Sequence, residues 1–120
     1  EKVIKYIKKG NAFKIDKKET TIEIIKKLNK CKSGFLIIVD EEKLHGVVAD
    51  GDVRRTILNP KMNIVNQKPV FCLYEDTISS VFEKISKTEK HIQFIPVVDY
   101  DNTFLGFIDL NRIWGEINEF

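Results

Sequence analysis

The chain has 120 residues, enough for one domain that buries roughly two thirds of the surface its unfolded form exposes. Hydrophobic residues make up 42% and charged residues 32% of the sequence, with a net charge of +2, a balance that excludes disordered and fibrous proteins. The longest apolar run, 35–39, is far shorter than the ~20 residues that a membrane span needs, so we expect no membrane segment.

The first half of the chain predicts a strand, a helix, two strands and a second helix, after a short lead-in helix. The helix that starts at Thr20-Thr21 carries a threonine cap, and 35–39 is apolar throughout, as in a strand covered on both faces. The predicted elements are a lead-in helix over 1–9, a strand over 12–16, a helix from 20 to about 32, strands over 35–39 and 44–48, and a helix over 51–58.

The second half repeats this order. Thr77 repeats the threonine cap, and Ile78, Val81, Phe82 and Ile85 then form an apolar stripe with i, i+3, i+4, i+7 spacing, typical of a helix packed on a core. The predicted elements are a strand over 70–73, this helix, strands over 91–99 and 103–108, and a closing helix over 111–118 that carries Trp114.

The two halves form an internal repeat of fewer than sixty residues. Matching Thr21 to Thr77 gives an offset of 56 residues, and matching Val39-Asp40 to Val98-Asp99 gives 59, which predicts three extra residues in the second copy. Each copy has β-α-β-β-α order and is too small to bury its sheet alone. We therefore predict two half-domains, 1–62 with the lead-in helix and 63–120.

The distribution of charge along the chain bears on whether it binds nucleic acid. Residues 1–32 hold eleven lysines against four acids, whereas 33–120 hold nine basic residues against fourteen acids. The lysines lack interleaved aromatic residues, so a solvated helix face explains them better than a nucleic-acid site.

Cys31 and Cys72 lie in apolar stretches without metal-type spacing, which is typical of reduced core residues in a cytoplasmic protein. Because the first residue is Glu1, we expect the sequence to be part of a longer protein.

Two motifs resemble those of the cystathionine-β-synthase (CBS) domain, whose tandem pair is called a Bateman module. They are Ile95-Pro96-Val97-Val98-Asp99 and Gly46-Val47-Val48-Ala49-Asp50-Gly51-Asp52. The resemblance implies an α/β fold of two β-α-β-β-α repeats packed pseudo-symmetrically as one Bateman module. The stretch Asp50 to Arg55 is similar to pairs attached to sugar-phosphate nucleotidyltransferases or arabinose-5-phosphate isomerases, and the short connections favour the former.

The resemblance also implies two clefts for adenine nucleotides or related ligands. Asp52 matches the ribose-binding aspartate, while Ala49 stands where a hydroxyl usually contacts ribose or phosphate. The residues implied for the first cleft are Ala49, Asp50, Gly51, Asp52, Arg54, Arg55, Phe71, Gln93, Phe94 and Ile95. The second cleft is implied to be degenerate, because Asp109 replaces its hydroxyl residue and Arg112 its aspartate. Its other wall would comprise Ile15, Ser33, Gly34 and Phe35.

Catalytic and metal-binding roles have weaker support. Asp50 and Asp52 could act as an acid and base pair, but carboxylates at a helix start are more commonly caps, and no nucleophile is near in sequence. His45 and His91 lack a third ligand at metal-type spacing. We therefore predict that this segment is not itself an enzyme and has no metal site.

Two hypotheses about function remain. The first is a regulatory module, forming a homodimer, that senses AMP, ADP, ATP or a nucleotide-sugar and controls a linked catalytic domain, with no nucleic-acid or membrane partner. The second is a dimerisation module that binds no ligand, which the residues Ala49 and Arg112 favour.

Overall fold

The computed structural model describes residues 1–10, 14–31, 33–88 and 92–117. The chain divides into two compact units, one formed by Gly10–Pro69 and the other by Glu1–Lys9 together with Val70–Phe120. The first nine residues thus belong to the same compact unit as the second half of the chain. The repeat bounds 1–62 and 63–120 stay a prediction.

The unit Gly10–Pro69 contains one three-stranded sheet and two helices. Its elements are β1 (Lys14–Asp16), α1 (Thr21–Lys30), β2 (Phe35–Asp40), β3 (Lys43–Ala49) and α2 (Asp50–Leu58). The central strand β2 pairs with β1 in parallel and with β3 in antiparallel orientation. The first five residues of β2 are buried, as its continuous apolar run predicts. The Thr20 hydroxyl accepts a hydrogen bond from the Glu23 amide at 3.2 Å, which confirms the predicted cap of α1.

The other unit has the same sheet order. Its elements are a 3₁₀ helix (Val3–Tyr6), β4 (Cys72–Leu73), α3 (Ile78–Ser86), β5 (Phe94–Val98), β6 (Phe104–Asp109) and α4 (Leu110–Ile117). The strand β5 lies between β4, which is parallel to it, and β6, which is antiparallel. Ile78 and Val81 are buried, and Phe82 and Ile85 pack against the same core, which confirms the apolar stripe of α3.

Each unit has its own hydrophobic core beneath its sheet. In Gly10–Pro69 the core comprises Ile24, Leu28, Leu36, Ile38, Val48 and Ile64. In the other unit it comprises Val3, Cys72, Ile78, Val81, Ile95, Val97, Ile108, Leu110 and Ile113. Both cysteines are free, and Cys72 is a core residue while Cys31 packs at the edge of its core.

The repeat offset of the first helix was predicted wrongly by one residue. The caps Thr20 and Thr77 correspond, so the offset of the first helix is 57, and Ile22 is 66% exposed whereas Ile78 is buried. The strands keep the predicted offset of 59, because the irregularity after Ile38 recurs after Val97. The second copy therefore carries two extra residues. Sequence matching failed here because an isoleucine follows a threonine in both places, although only one of the two isoleucines faces a core.

The lead-in segment is less helical than predicted. Only four residues form a 3₁₀ helix, because Lys2 and Lys8 on either side are bridged to Thr77 and Phe107. The described parts of two predicted strands are also shorter, since β4 contains two residues and β5 starts at Phe94. Residues 12, 13, 91 and 118 of the predicted elements lie outside the described residues.

The segment that precedes each repeat pairs with the sheet of the other repeat. Lys8 and Phe107 exchange two backbone hydrogen bonds of 2.8 and 3.1 Å, and Asn66 and Val47 exchange two of 2.9 and 3.0 Å. Gly106 and Gly46 allow this approach, because a Cβ atom at either position would lie 2.5 Å from the carbonyl oxygen of Lys8 or Asn66. Each glycine therefore marks a point where another backbone crosses its strand.

Candidate ligand-binding residues

The helix α2 begins without a side-chain cap. Its N-cap residue is Ala49, whose methyl group cannot accept a hydrogen bond, and no described side chain accepts from the amides of the first turn. Gly51 lies in this turn. Unpaired amides and the positive end of the helix dipole favour an anion at this position.

The carboxylate of Asp52 lies at the same helix start. Its Oδ2 atom accepts a hydrogen bond of 2.8 Å from the Ala49 amide, and its Oδ1 atom is paired with the Arg55 guanidinium. Asp52 is the one charged residue buried in the described part of the chain, with 7% of its surface exposed. A carboxylate can accept about four hydrogen bonds, so these two partners leave capacity for hydroxyl donors.

Two guanidinium groups lie beside Gly51. A Cβ atom at this glycine would lie 3.4 Å from Nη1 of Arg55 and 4.0 Å from Nη2 of Arg54. Asp50, the first residue of α2, lies on another side, against Gly34, where a Cβ atom would come within 2.5 Å of its carboxylate. The start of α2 thus combines open amides, two guanidinium groups and the carboxylate of Asp52.

The corresponding helix α4 begins differently, because its first turn is capped. Oδ1 of Asp109 accepts hydrogen bonds from the amides of Asn111 at 3.1 Å and Arg112 at 3.4 Å. The same atom accepts from Nε2 of Gln93 at 3.2 Å, so the structure brings together two residues that the sequence assigned to different clefts. The amides of α4 are therefore less available to an anion than those of α2.

The remaining predicted residues divide between the two units. Ser33 is exposed and its hydroxyl donates to the Phe35 carbonyl at 3.3 Å, while Phe35 itself is buried in Gly10–Pro69. In the other unit, Phe71 is 40% exposed and the Lys84 ammonium lies 5.1 Å from its ring. Phe94 packs edge-on against Phe107.

Ile95, which the resemblance places against the base, has no exposed surface. Its side chain belongs to the core of its own unit, together with Val97 and Ile108. Only the backbone of Ile95 could therefore contact a ligand. The two neighbours that precede it, Gln93 and Phe94, are partly buried and keep their side chains accessible in part.

A pocket of about 230 Å³ lies within the unit that contains α4. Its lining residues are Lys5, Tyr6, Ile7, Lys8, Asp109, Arg112, Ile113 and Glu116. The sequence predicted Asp109 and Arg112 as site residues but missed the lead-in residues and Glu116. The sequence around Asp109 and Arg112 does not indicate these further lining residues. Lys8 lies near α4 only because its backbone pairs with Phe107.

No group of three or more His, Cys, Asp or Glu residues that could hold a metal ion occurs among the residues that the structure describes. In the same residues, every helix is too short or too polar to cross a lipid bilayer.

Comparison with protein families identifies the repeat. The family model of the CBS domain matches residues 4–59 and again 62–113, which together cover nearly the whole chain. The chain belongs to the CBS domain family. Its two matches make it a tandem CBS pair, and the mixed α/β architecture with two three-stranded sheets has the fold of a Bateman module. The predicted fold class is thus confirmed.

Solved structures of other CBS pairs share this fold at low sequence identity. The CBS domain pair of protein MJ0100, in complex with 5′-methylthioadenosine and S-adenosyl-L-methionine, is 23% identical with a TM-score of 0.82, over 98% of each chain. CBSX2 in complex with AMP is 17% identical with a TM-score of 0.76, over 97% of each chain. A CBS domain pair/ACT domain protein from Thermotoga maritima is 18% identical with a TM-score of 0.74, over 99% of this chain and 98% of that one. No curated protein matches the sequence.

Proposed function

We propose that this CBS pair is a regulatory module that binds an adenine nucleotide or a nucleotide-sugar at the start of α2. The observation that carries the proposal is the uncapped first turn of α2, with the guanidinium groups of Arg54 and Arg55 beside Gly51. Open amides and guanidinium groups are the donors that phosphate oxygens require. The buried Asp52 carboxylate, at the same helix start, supplies the acceptor that a ribose requires.

Two structurally similar CBS pairs support an adenosine-containing ligand. The pair of protein MJ0100 was crystallised with 5′-methylthioadenosine and S-adenosyl-L-methionine, and CBSX2 with AMP. All three ligands contain adenosine, and AMP adds a phosphate. Their ribose hydroxyls match the remaining acceptor capacity of Asp52.

Arg55 gives the site a means of responding to the ligand. In the structure its guanidinium is paired with Asp52, although about half of the Arg55 side chain is exposed. A bound phosphate would draw Arg55 away from Asp52, and the ribose hydroxyls would replace it on the carboxylate. Binding would then change the contacts at the start of α2, and coupling to a second site typically amounts to about 1–3 kcal/mol.

The partner of this module is proposed to be a catalytic domain in the same protein. We infer a sugar-phosphate nucleotidyltransferase, because the stretch from Asp50 to Arg55 is similar to pairs attached to such enzymes. We further infer that the module forms a homodimer and acts in the cytoplasm, where its two free cysteines would stay reduced.

Calorimetric titration of the chain with AMP, ADP, ATP, a guanosine nucleotide and a cytidine nucleotide tests the proposal. We expect an adenine nucleotide to bind, and the Asp52→Asn variant to bind it at least tenfold more weakly, because an amide accepts ribose hydroxyls less well than a carboxylate. Asn keeps an oxygen for the Ala49 amide, so the start of α2 should persist. Glu41→Gln, in an exposed turn, is the charge-matched control and should bind as the wild type does.

Equal affinities of the Asp52→Asn and wild-type chains would contradict the proposed role of Asp52. No heat with any nucleotide, at protein concentrations that detect millimolar dissociation constants, would contradict nucleotide sensing altogether.

The alternative, a dimerisation module without a ligand, is favoured by one observation. Ala49 lacks the hydroxyl expected at its position, and Asp52 is already satisfied in part by the Ala49 amide and Arg55. This alternative predicts a stable dimer in sedimentation velocity whose mass and thermal unfolding midpoint do not change with added nucleotide. A rise in that midpoint with AMP would exclude it.

A further inference from the structure

We propose that the pocket between the lead-in segment and α4 binds a phosphate monoester dianion through Arg112 and Lys8. Both residues line the pocket of about 230 Å³ within the unit formed by Glu1–Lys9 and Val70–Phe120. The proposal does not depend on nucleotide binding at α2, because it involves other residues in the other unit.

In the second repeat, Arg112 stands at the position of Asp52. Gly46 and Gly106 correspond, as each lies opposite the last residue before the strand irregularity, so Arg112 corresponds to Asp52. A guanidinium donates hydrogen bonds but accepts none, and cannot receive the hydroxyl protons of a ribose. It is instead suited to a phosphate, which it binds through two parallel hydrogen bonds.

The pocket is lined by more cationic than anionic side chains. Three cationic side chains, of Lys5, Lys8 and Arg112, line it together with the carboxylates of Asp109 and Glu116. Lys5 is paired with Glu1 at 2.8 Å, whereas the Lys8 ammonium has no ion-pair partner among the residues that the structure describes. Asp109 is engaged in capping α4. The pocket therefore retains one unpaired cation.

The carboxylate of Glu116 already lies against Arg112. Its Oε1 atom lies 3.3 Å from Nε of Arg112, in a pair whose side chains are about half exposed. The pKa of Lys5 is raised mainly by its hydrogen bond to Glu1, and the field of Glu116 adds a smaller contribution. A phosphate dianion would replace the Glu116 carboxylate beside Arg112.

The size of the pocket favours a small ligand. Pockets for larger organic ligands usually measure about 300–1,000 Å³. A pocket of about 230 Å³ is better matched to a phosphate group with a small substituent than to a whole nucleotide. A dianion held by Lys8 and Arg112 would tie the lead-in segment to α4.

The test is a ¹H–¹⁵N NMR titration of the chain with inorganic phosphate and with glucose 6-phosphate, at ionic strength kept constant with sodium chloride. We expect saturable shifts of the amides of Lys8, Arg112 and Glu116 with both probes. The probe with the lower dissociation constant shows whether the pocket takes free phosphate or a phosphorylated small molecule.

Three variants make the assignment specific. Arg112→Gln should weaken binding at least tenfold, and Glu116→Gln should strengthen it at least threefold, because the competing carboxylate is removed. Lys87→Gln removes an exposed positive charge at the C-cap of α3 and should not change the affinity for phosphate.

Three results would overturn the proposal. They are shifts confined to Gly51 and Asp52, equal affinities of the Arg112→Gln and wild-type chains, or shifts that chloride alone reproduces. The nucleotide proposal is judged separately, since Arg112→Gln leaves the start of α2 intact and Asp52→Asn leaves this pocket intact.

Discussion

Asp52 and Arg112 show how single residues give two similar repeats different chemistry. Both lie in the first turn of the helix that follows the sheet, but Asp52 is buried and Arg112 is 58% exposed in its side chain. The residue three positions earlier differs as well, since Ala49 leaves the first turn of α2 open and Asp109 caps that of α4. The difference between the two helix starts thus follows from four side chains.

Cys72 gives a prediction about the pH dependence of stability at this scale. Burial raises the pKa of its thiol from the ordinary value of 9.0 to about 12. Between these values the unfolded chain has lost the thiol proton and the folded chain keeps it, so the free energy of unfolding falls as the pH rises. Between pH 9 and 10.5 this loss should amount to roughly 1–2 kcal/mol.

Urea unfolding at several pH values, compared between the wild type and Cys72→Ala, measures this contribution. The variant should be less stable near neutral pH, because it leaves a small cavity, but its stability should fall less steeply above pH 9. Parallel curves for the two proteins would mean that the Cys72 thiol does not contribute to alkaline destabilisation.

At the scale of the elements, the close approach of a backbone decides where glycine is required. Gly106 lies in β6 beneath the Lys8 carbonyl, and Gly46 lies in β3 beneath the Asn66 carbonyl. Gly115 in α4 differs from both, since a Cβ atom there would meet nothing within 4 Å. The same residue type is therefore essential at two positions and replaceable at a third.

We accordingly expect Gly106→Ala to destabilise the chain by about 1–3 kcal/mol, because the added methyl group pushes against the Lys8 carbonyl and the Ile7 side chain. Gly115→Ala should instead stabilise it by about 0.5–1 kcal/mol, since alanine is the better helix former. Chemical denaturation of both variants measures the difference. A stability loss of similar size in the two variants would show that the approach of Lys8 is not what makes Gly106 necessary.

At the scale of the whole chain, the segment before each repeat belongs to the compact unit of the other repeat. Glu1–Lys9 belong to the unit that contains Val70–Phe120, and Ile64, before the second repeat, lies in the core of Gly10–Pro69. Val3 has no exposed surface and lies in the core with Ile78 and Ile113, more than seventy residues along the chain. The stability of the unit that contains Val70–Phe120 thus depends on the N-terminal residues Glu1–Lys9.

Val3→Ala should therefore destabilise the chain by about 2 kcal/mol, because two methyl groups leave a close-packed core. Its neighbour Ile4 is 55% exposed, so Ile4→Ala should change stability by less than about 0.5 kcal/mol. Thermal unfolding gives the sizes, and amide hydrogen exchange should show the loss in β5 and β6. Equal effects of the two substitutions would contradict the packing of the lead-in segment described above.

Periodicity and motifs were sufficient to predict the fold class. Amphipathic spacing identified α3, a continuous apolar run identified β2, and the threonine caps placed the starts of α1 and α3 to within one residue. These features depend on neighbours within a few residues, so the sequence alone determines them. The motif around Asp52 was recognisable for the same reason.

Only the tertiary structure decided the features that depend on residues far apart in the chain. It placed Val3 in the core of the unit that contains Val70–Phe120, brought Lys8 to the pocket with Arg112, and buried the side chain of Ile95 in the core of its unit. Each of these positions depends on a contact across seventy or more residues or on the packing of a whole core. Local propensities carry no information about such contacts, because they are fixed only when the sheets and helices pack together.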